Sequence, residues 1–165
     1  MSRYRPPQKP GSKYITPDGY KILNDELNYL FNKKRPKVTQ ALSEAAAEGD
    51  RSENAEYIYR KKELREIDSR IRFLRKRLDG MRVIDQRPTD QSKIYFGAWV
   101  KIEDDDENHF TYRIVGPDET DAKKGFISMD APMAKALMKQ SVDSEISVTI
   151  QNKVMDYAVV KIWYE

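Results

Sequence analysis

Two long stretches of the chain repeat apolar positions at alternating intervals of three and four. Tyr20, Leu23, Leu27 and Leu30 open the first, and Lys34, Lys37 and Ala41 continue its register. The second runs Leu64, Ile67, Ile71, Leu74, Leu78 and Met81. Both are heptad seams, the pattern of helices that pack along one stripe. Thr16-Pro17-Asp18 supplies a start signal, with an N-cap, a first-turn proline and an acid at the positive end of the helix dipole. Between the seams, residues 48–52 hold Gly49, the only glycine between Gly19 and Gly80. The pattern predicts an antiparallel coiled-coil hairpin over residues 15–82. Folded about the turn, it brings Leu30 near Ile71, Leu27 near Leu74 and Leu23 near Leu78. Pro36 lacks an N–H and crowds the preceding turn, which predicts a kink or short break there. Gly80 is placed to end the second helix.

Beyond a linker at 83–93 the period changes to two. Trp99, Val100 and Ile102 precede an acidic turn at 103–108, and Phe110, Tyr112 and Ile114 alternate after it. Further short strands, a helix over 131–138 and a β-rich terminal run predict a small α+β domain over 94–165, its sheet mostly antiparallel. Alternation assigns Trp99, Phe110 and Tyr112 to core packing in preference to nucleic-acid stacking. Asp104-x-Asp106-x-Asn108 opens like a calcium loop, but His109 and Val115 stand where glycine and glutamate are needed, so it is expected to be a solvated turn. Residues 1–14, with Arg3, Arg5, Lys9 and Lys13 among prolines, read as a disordered basic arm.

Composition narrows the chemistry. The 165 residues include one histidine and no cysteine, which excludes a disulfide framework, a thiol nucleophile and any His/Cys zinc site. No apolar run is long enough to span a membrane, and the polar N-terminus lacks a secretory core, so a cytoplasmic protein is expected. Charge is divided unevenly. Residues 1–82 carry 20 Lys+Arg and 12 Asp+Glu, whereas 83–165 carry 10 and 15.

Within the hairpin the division sharpens. Glu44, Glu48, Asp50, Glu53 and Glu56 crowd the turn, and a lysine- and arginine-rich run from Arg60 to Arg77 follows. An acidic tip on a basic shaft suits a polyanion beside metal cations, such as nucleic acid near a magnesium-dependent centre. Asp50-x-x-Glu53 equally fits a capping box, with Ser52 and Asn54 as other caps. The two roles are compatible, since one carboxylate oxygen can cap while the other faces outward.

The stretches Gly49-Asp50-Arg51-Ser52-Glu53-Asn54-Ala55-Glu56-Tyr57, Phe96-Gly97-Ala98-Trp99-Val100 and Arg113-Ile114-Val115-Gly116 closely resemble the GreA/GreB family of bacterial transcript cleavage factors. Arg35-Pro36 and the Tyr-rich, basic second helix resemble its GreB branch more than its GreA branch. The resemblance implies an FKBP-like C-terminal domain and bacterial RNA polymerase as partner. It implies that the hairpin enters the polymerase's secondary channel and stimulates the polymerase's own cleavage of backtracked RNA. The catalytic and metal-sharing acids then fall on Asp50 and Glu53, with Mg2+ shared with the polymerase and no cofactor in the free monomer. Arg51, Arg60, Lys61, Lys62 and Arg65, nearest the tip, would contact the nascent RNA 3′ segment and channel walls. Ser128-Met129-Asp130-Ala131-Pro132 resembles the family's docking loop, which maps polymerase contact onto Asp130 and Pro132; helix capping and a first-turn proline are the alternative roles. Two other functions fit parts of the pattern: an inhibitory channel-blocking paralogue, and a coiled-coil RNA-binding adaptor.

Overall fold

The computed structural model describes residues 9–49 and 54–165. The chain divides into two compact units, Asp18–Met81 and Met1–Pro17 with Arg82–Glu165.

The first unit is the helical hairpin. Helix α1 (Pro17–Tyr29) runs into a π-helical turn, Leu30–Lys34, and then into α2 (Arg35–Ala47); α3 (Ala55–Leu78) returns. The anomaly at Pro36 is thus absorbed without a break. In the wider turn the Arg35 N–H donates to the Leu30 carbonyl, five residues back. The extra residue relieves the crowding that a proline ring imposes on a regular helix. It also moves the seam. The stripe expected through Lys34, Lys37 and Ala41 passes one residue later, through Arg35, Val38 and Leu42, to Ala45. Val38 and Ala45 are 4% and 3% exposed, while Lys37 lies in solvent. Leu23 and Leu30 on one arm and Ile67, Ile71 and Leu74 on the other complete the buried seam. Two ion pairs tie the arms together across it. Arg35 Nε lies 2.7 Å from Asp68 Oδ1, and Arg70 grips both oxygens of Glu26 at 2.7 and 3.0 Å. At the far end of α3, Gly80 takes the positive φ (75°) that closes a helix.

The second unit holds a five-stranded sheet in the order β5-β4-β3-β7-β6. Its strands are β3 (Trp99–Asp104), β4 (His109–Val115), β5 (Phe126–Ser128), β6 (Glu145–Ile150) and β7 (Lys153–Trp163). All neighbours are antiparallel except β4–β5. Val100, Ile102, Ile114, Ile146, Val148 and Val159 turn to one face, where Ala134 and Leu137 of helix α4 (Pro132–Leu137) complete the core. Tyr112 packs against this core, as expected. Trp99 does not. The buried–intermediate alternation of β3 sends Val100 and Ile102 inward and Trp99 to the opposite face. Phe110 shares the inward face but sits at its margin, 37% exposed. The turn after β3 is polar and self-satisfied. Asp104 Oδ1 accepts the N–H groups of Asp106 and Asn108, and the Asn108 bond in particular holds its carboxyl below the usual aspartate range.

The expected division between a loose arm and a linker is modified here. Strand β1 (Tyr14–Ile15) pairs in parallel with β2 (Arg82–Val83), so the chain before α1 belongs to the sheet unit. Glu119 fixes it further by accepting the Thr16 N–H at 3.0 Å, the Thr16 hydroxyl and the Gly116 N–H at 2.8 Å. Gly116 is required at this crossing because a Cβ there would stand 2.0 Å from the Tyr14 carbonyl oxygen. At the other terminus, the Tyr164 hydroxyl donates to the Lys93 carbonyl at 2.6 Å and accepts the Tyr95 N–H at 2.9 Å, which pins the last strand onto the segment after β2. The first eight residues of the expected arm lie outside the described residues.

Candidate functional site

Asn54 joins the two arms beside the hairpin turn. Asn54, extended at φ −87° and ψ 100°, is the N-cap of α3, and its Oδ1 accepts the Tyr57 N–H at 3.1 Å. Its Nδ2 reaches the other arm and donates to the Ala45 carbonyl at 2.7 Å. One amide therefore satisfies an orphan donor of α3 and adds a second bond to the Ala45 carbonyl, which also accepts the Glu48 N–H at 3.3 Å. Of the possible caps in the sequence, Asn54 fills the role for α3. The acidic candidates Asp50 and Glu53, with Arg51, lie outside the described residues.

The basic shaft separates into structural and free cations. Arg60 is claimed by its own helix, with Nε 2.8 Å from Glu56 and Nη1 2.9 Å from Glu63. These two hydrogen bonds raise its pKa further. Arg70 is claimed by Glu26. Lys61, Lys62 and Arg65 are exposed, and among the described residues none of the three makes an ion pair. Lys61 instead lies 5.9 Å from the Tyr57 ring centroid. Helical spacing puts Lys61, Arg65, Arg72 and Lys76 within about 60° of one another around the axis, a stripe of cations along α3. Of the four candidates described here, three are therefore available to a polyanion, and Arg60 is largely neutralised. Sequence spacing held the signal for this: Glu56 and Glu63 stand four before and three after Arg60.

The loop before α4 is arranged differently from a helix cap. The N-cap of α4 is Ala131, which has no capping side chain, and Pro132 follows in the first turn, exposed. Asp130 faces back to the chain's beginning. Its Oδ2 accepts the Ser12 N–H at 2.9 Å and its Oδ1 the Ser12 hydroxyl at 2.5 Å. Its own N–H donates to the Ser128 hydroxyl at 3.0 Å. The capping role considered for Asp130 is thus not used, whereas the first-turn role of Pro132 is. Ser12 was missed because nothing local marks a partner 118 residues away.

Among the described residues there is no group of three or more His, Cys, Asp or Glu side chains placed to hold a metal ion. Nor is any described helix long and apolar enough to cross a membrane.

Comparison with known proteins accounts for both units. Residues 13–83 match the family model "Transcription elongation factor, N-terminal", and residues 88–164 match "Transcription elongation factor, GreA/GreB, C-term". A relative named transcription elongation factor GreB from Pseudomonas aeruginosa is 58% identical over 148 residues, covering 90% of this chain and 88% of that protein. Another of the same name from Xanthomonas axonopodis is 51% identical over 165 residues, covering 99% and 98%. Among solved structures, a GreA/GreB factor from Nitrosomonas europaea aligns at 17% identity with a TM-score of 0.42, over 93% of this chain and all of that one. With two family models side by side over nearly its whole length, the chain belongs to the GreA/GreB family of transcription elongation factors.

Proposed function

We propose that this elongation factor enters the secondary channel of bacterial RNA polymerase and stimulates the polymerase's cleavage of backtracked RNA. The observation that supports it is the Asn54 clamp. Asn54 occupies the N-cap position of α3 and ties its first turn to α2, which supports a braced hairpin with the acids Asp50 and Glu53 of the sequence between its arms.

Carboxylate oxygens suit Mg2+, which takes few protein ligands and keeps several waters, so Asp50 and Glu53 fit a shared ion. When bound between factor and polymerase, the ion would stabilise charge on the attacking and leaving oxygens of the phosphodiester. Asp50 supplies a carboxylate that the polymerase lacks. Glu53 holds the attacking water or accepts its proton. Lys61, Lys62 and Arg65 attract the extruded RNA 3′ segment electrostatically. Pro132, exposed beside Asp130, meets the rim of the polymerase. In this reading the factor is not itself an enzyme, because the reacting phosphate and most of the ion's ligands belong to its partner. It acts as a monomer in the cytoplasm.

The test is a stalled, backtracked polymerase with end-labelled RNA. Asp50→Asn and Glu53→Gln should each retain polymerase binding and lose stimulated cleavage, by about a hundredfold or more for Glu53→Gln. Wild-type cutting by both variants removes the acid roles. Slowed elongation without cutting by the unaltered protein identifies an inhibitory factor instead, and absence of polymerase binding leaves an RNA-binding adaptor.

A further inference from the structure

One rung of the sheet brings aromatic and cationic side chains together on the face away from α4. The pairing register sets Phe126 beside Arg113, Arg113 beside Trp99 and Trp99 beside Trp163, across β5, β4, β3 and β7. The contacts form a continuous stack. Trp163 lies parallel to Trp99, with 6° between the planes and 5.9 Å between centroids. The Arg113 guanidinium sits 5.9 Å from the Trp99 ring centroid and 5.7 Å from that of Phe126. Each end is closed by a lysine, Lys161 at 5.0 Å from Trp163 and Lys124 at 5.8 Å from Phe126. Lys101, paired with Lys161 in the next rung, adds a fourth cation.

We infer that this face binds the phosphate backbone of single-stranded RNA. Charge complementarity is the first reason. Among the described residues none of the four cations makes an ion pair, although the segment 83–165 has five more acids than bases. Lys124 and Lys161 are exposed, and Lys101 and Arg113 half-buried. Glu103, Glu145 and Asp156 line a cleft of about 460 Å³ toward the other end of β3, and Asp121, bridged to Phe126, turns its carboxylate to the Lys123 N–H. Glu103 stands four residues along β3 from Trp99, about 13 Å away in an extended strand. A polyanion laid on the rung is attracted at one end of the face and repelled at the other.

Geometry then selects the partner. Four adjacent strands span about 15 Å, and a flexible single strand can bend to follow a row of cations across them. A duplex is a stiff rod that meets a flat face at few points. The ring faces are occupied by one another and by cations, so contact is through phosphates and ring edges, and binding is insensitive to base sequence.

The chain's two tryptophans both stand in this stack, so their emission reports on this face alone. Titrating the full-length protein with single-stranded oligo(U) or oligo(A) should change tryptophan emission saturably and equally. Four cations at ~0.7 per phosphate predict a slope near −3 for log affinity against log salt. Lys101→Gln with Lys161→Gln should weaken the transition and flatten that slope by about 1.4, with an unchanged near-ultraviolet circular dichroism spectrum as evidence of folding. Lys135→Gln, on α4 at the opposite face of the sheet, should leave the midpoint of the emission change where it was. No emission change, a midpoint moved as far by Lys135→Gln as by the Lys101 and Lys161 pair, or equal or tighter binding of duplex DNA or polyglutamate would overturn the inference.

Discussion

Asn54 bridges the two arms of the hairpin by donating to the Ala45 carbonyl while it caps α3 at Tyr57. The two bonds use opposite ends of one amide, so substitutions can separate them. Asn54→Asp keeps the acceptor for Tyr57 and loses the donor to Ala45. Asn54→Ala loses both and should cost about 1–2 kcal/mol. Thermal melts should rank the proteins wild type, Asn54→Asp, Asn54→Ala. Stimulated transcript cleavage should fall in the same order, with polymerase affinity retained, because the bond braces the arms just beside the acids. A ranking in stability without one in cleavage would separate the brace from the chemistry.

The π-helical turn at Leu30–Lys34 makes a prediction about register. Val38 is 4% exposed in the shifted seam, and Lys37 faces solvent. Val38→Ala removes two buried methyl groups and leaves a cavity, a loss of about 2 kcal/mol. Lys37→Ala should change stability by less than about 0.5 kcal/mol. Urea denaturation of the two variants reads the difference directly. A larger loss from Lys37→Ala would restore the unshifted heptad.

How far the fold could be read in advance is visible at these same positions. A heptad pattern reports helix and stripe but counts residues as though every turn were equal. One five-residue turn displaces the whole stripe from Lys34, Lys37 and Ala41 to Arg35, Val38 and Leu42. Pro36 announced an irregularity without saying which kind. Alternation likewise located the strands, yet Trp99, grouped with Phe110 and Tyr112 for the core, is out of phase with Val100 and Ile102 and turns to the other face. Asp130 was found through its motif, whereas its grip on Ser12 depends on the chain before α1 returning to the sheet unit. That contact is non-local, and no periodicity encodes it.

The cross-arm pair of Glu26 and Arg70 gives the hairpin an acid-side dependence. The Arg70 hydrogen bonds hold the Glu26 carboxyl below its ordinary value of 4.5. A group with a depressed folded pKa contributes stability above its unfolded pKa and loses it as pH falls through the folded one. The contribution is therefore complete at neutral pH and is lost progressively as pH falls below about 4.5 through the lower folded value. Both side chains are a third or more exposed, at 43% for Arg70 and 34% for Glu26, so screening limits the effect to about 0.5 kcal/mol. Arg70→Gln should lower the melting temperature slightly at neutral pH and leave it unchanged once Glu26 is protonated. Melts recorded down the acid range test the convergence. A constant gap between the two proteins would mean that Arg70 stabilises through its stem against Phe73, over whose ring its guanidinium lies at 5.2 Å.

Ser12 and Asp130 pose the remaining question, whether the carboxylate holds the chain's beginning, meets the polymerase, or does both. Its oxygens accept the Ser12 N–H and hydroxyl, so Ser12→Ala removes one of two bonds and Asp130→Ala removes both. If the carboxylate serves only the segment before β1, the two substitutions should be coupled in stability by about 1 kcal/mol and should leave polymerase affinity alone. If it also contacts the polymerase, Asp130→Ala should weaken binding more than Ser12→Ala does. The proposed docking role predicts this second result, with Pro132→Ala adding to the loss. A double-mutant cycle read in both melting temperature and polymerase affinity separates the two. Coupling in affinity as well as in stability would make Ser12 a positioning residue for the docking loop, with protease cutting near residues 11–15 reporting its release. Coupling in stability alone, with affinity unmoved by any of the three substitutions, would take Asp130 and Pro132 out of the interface.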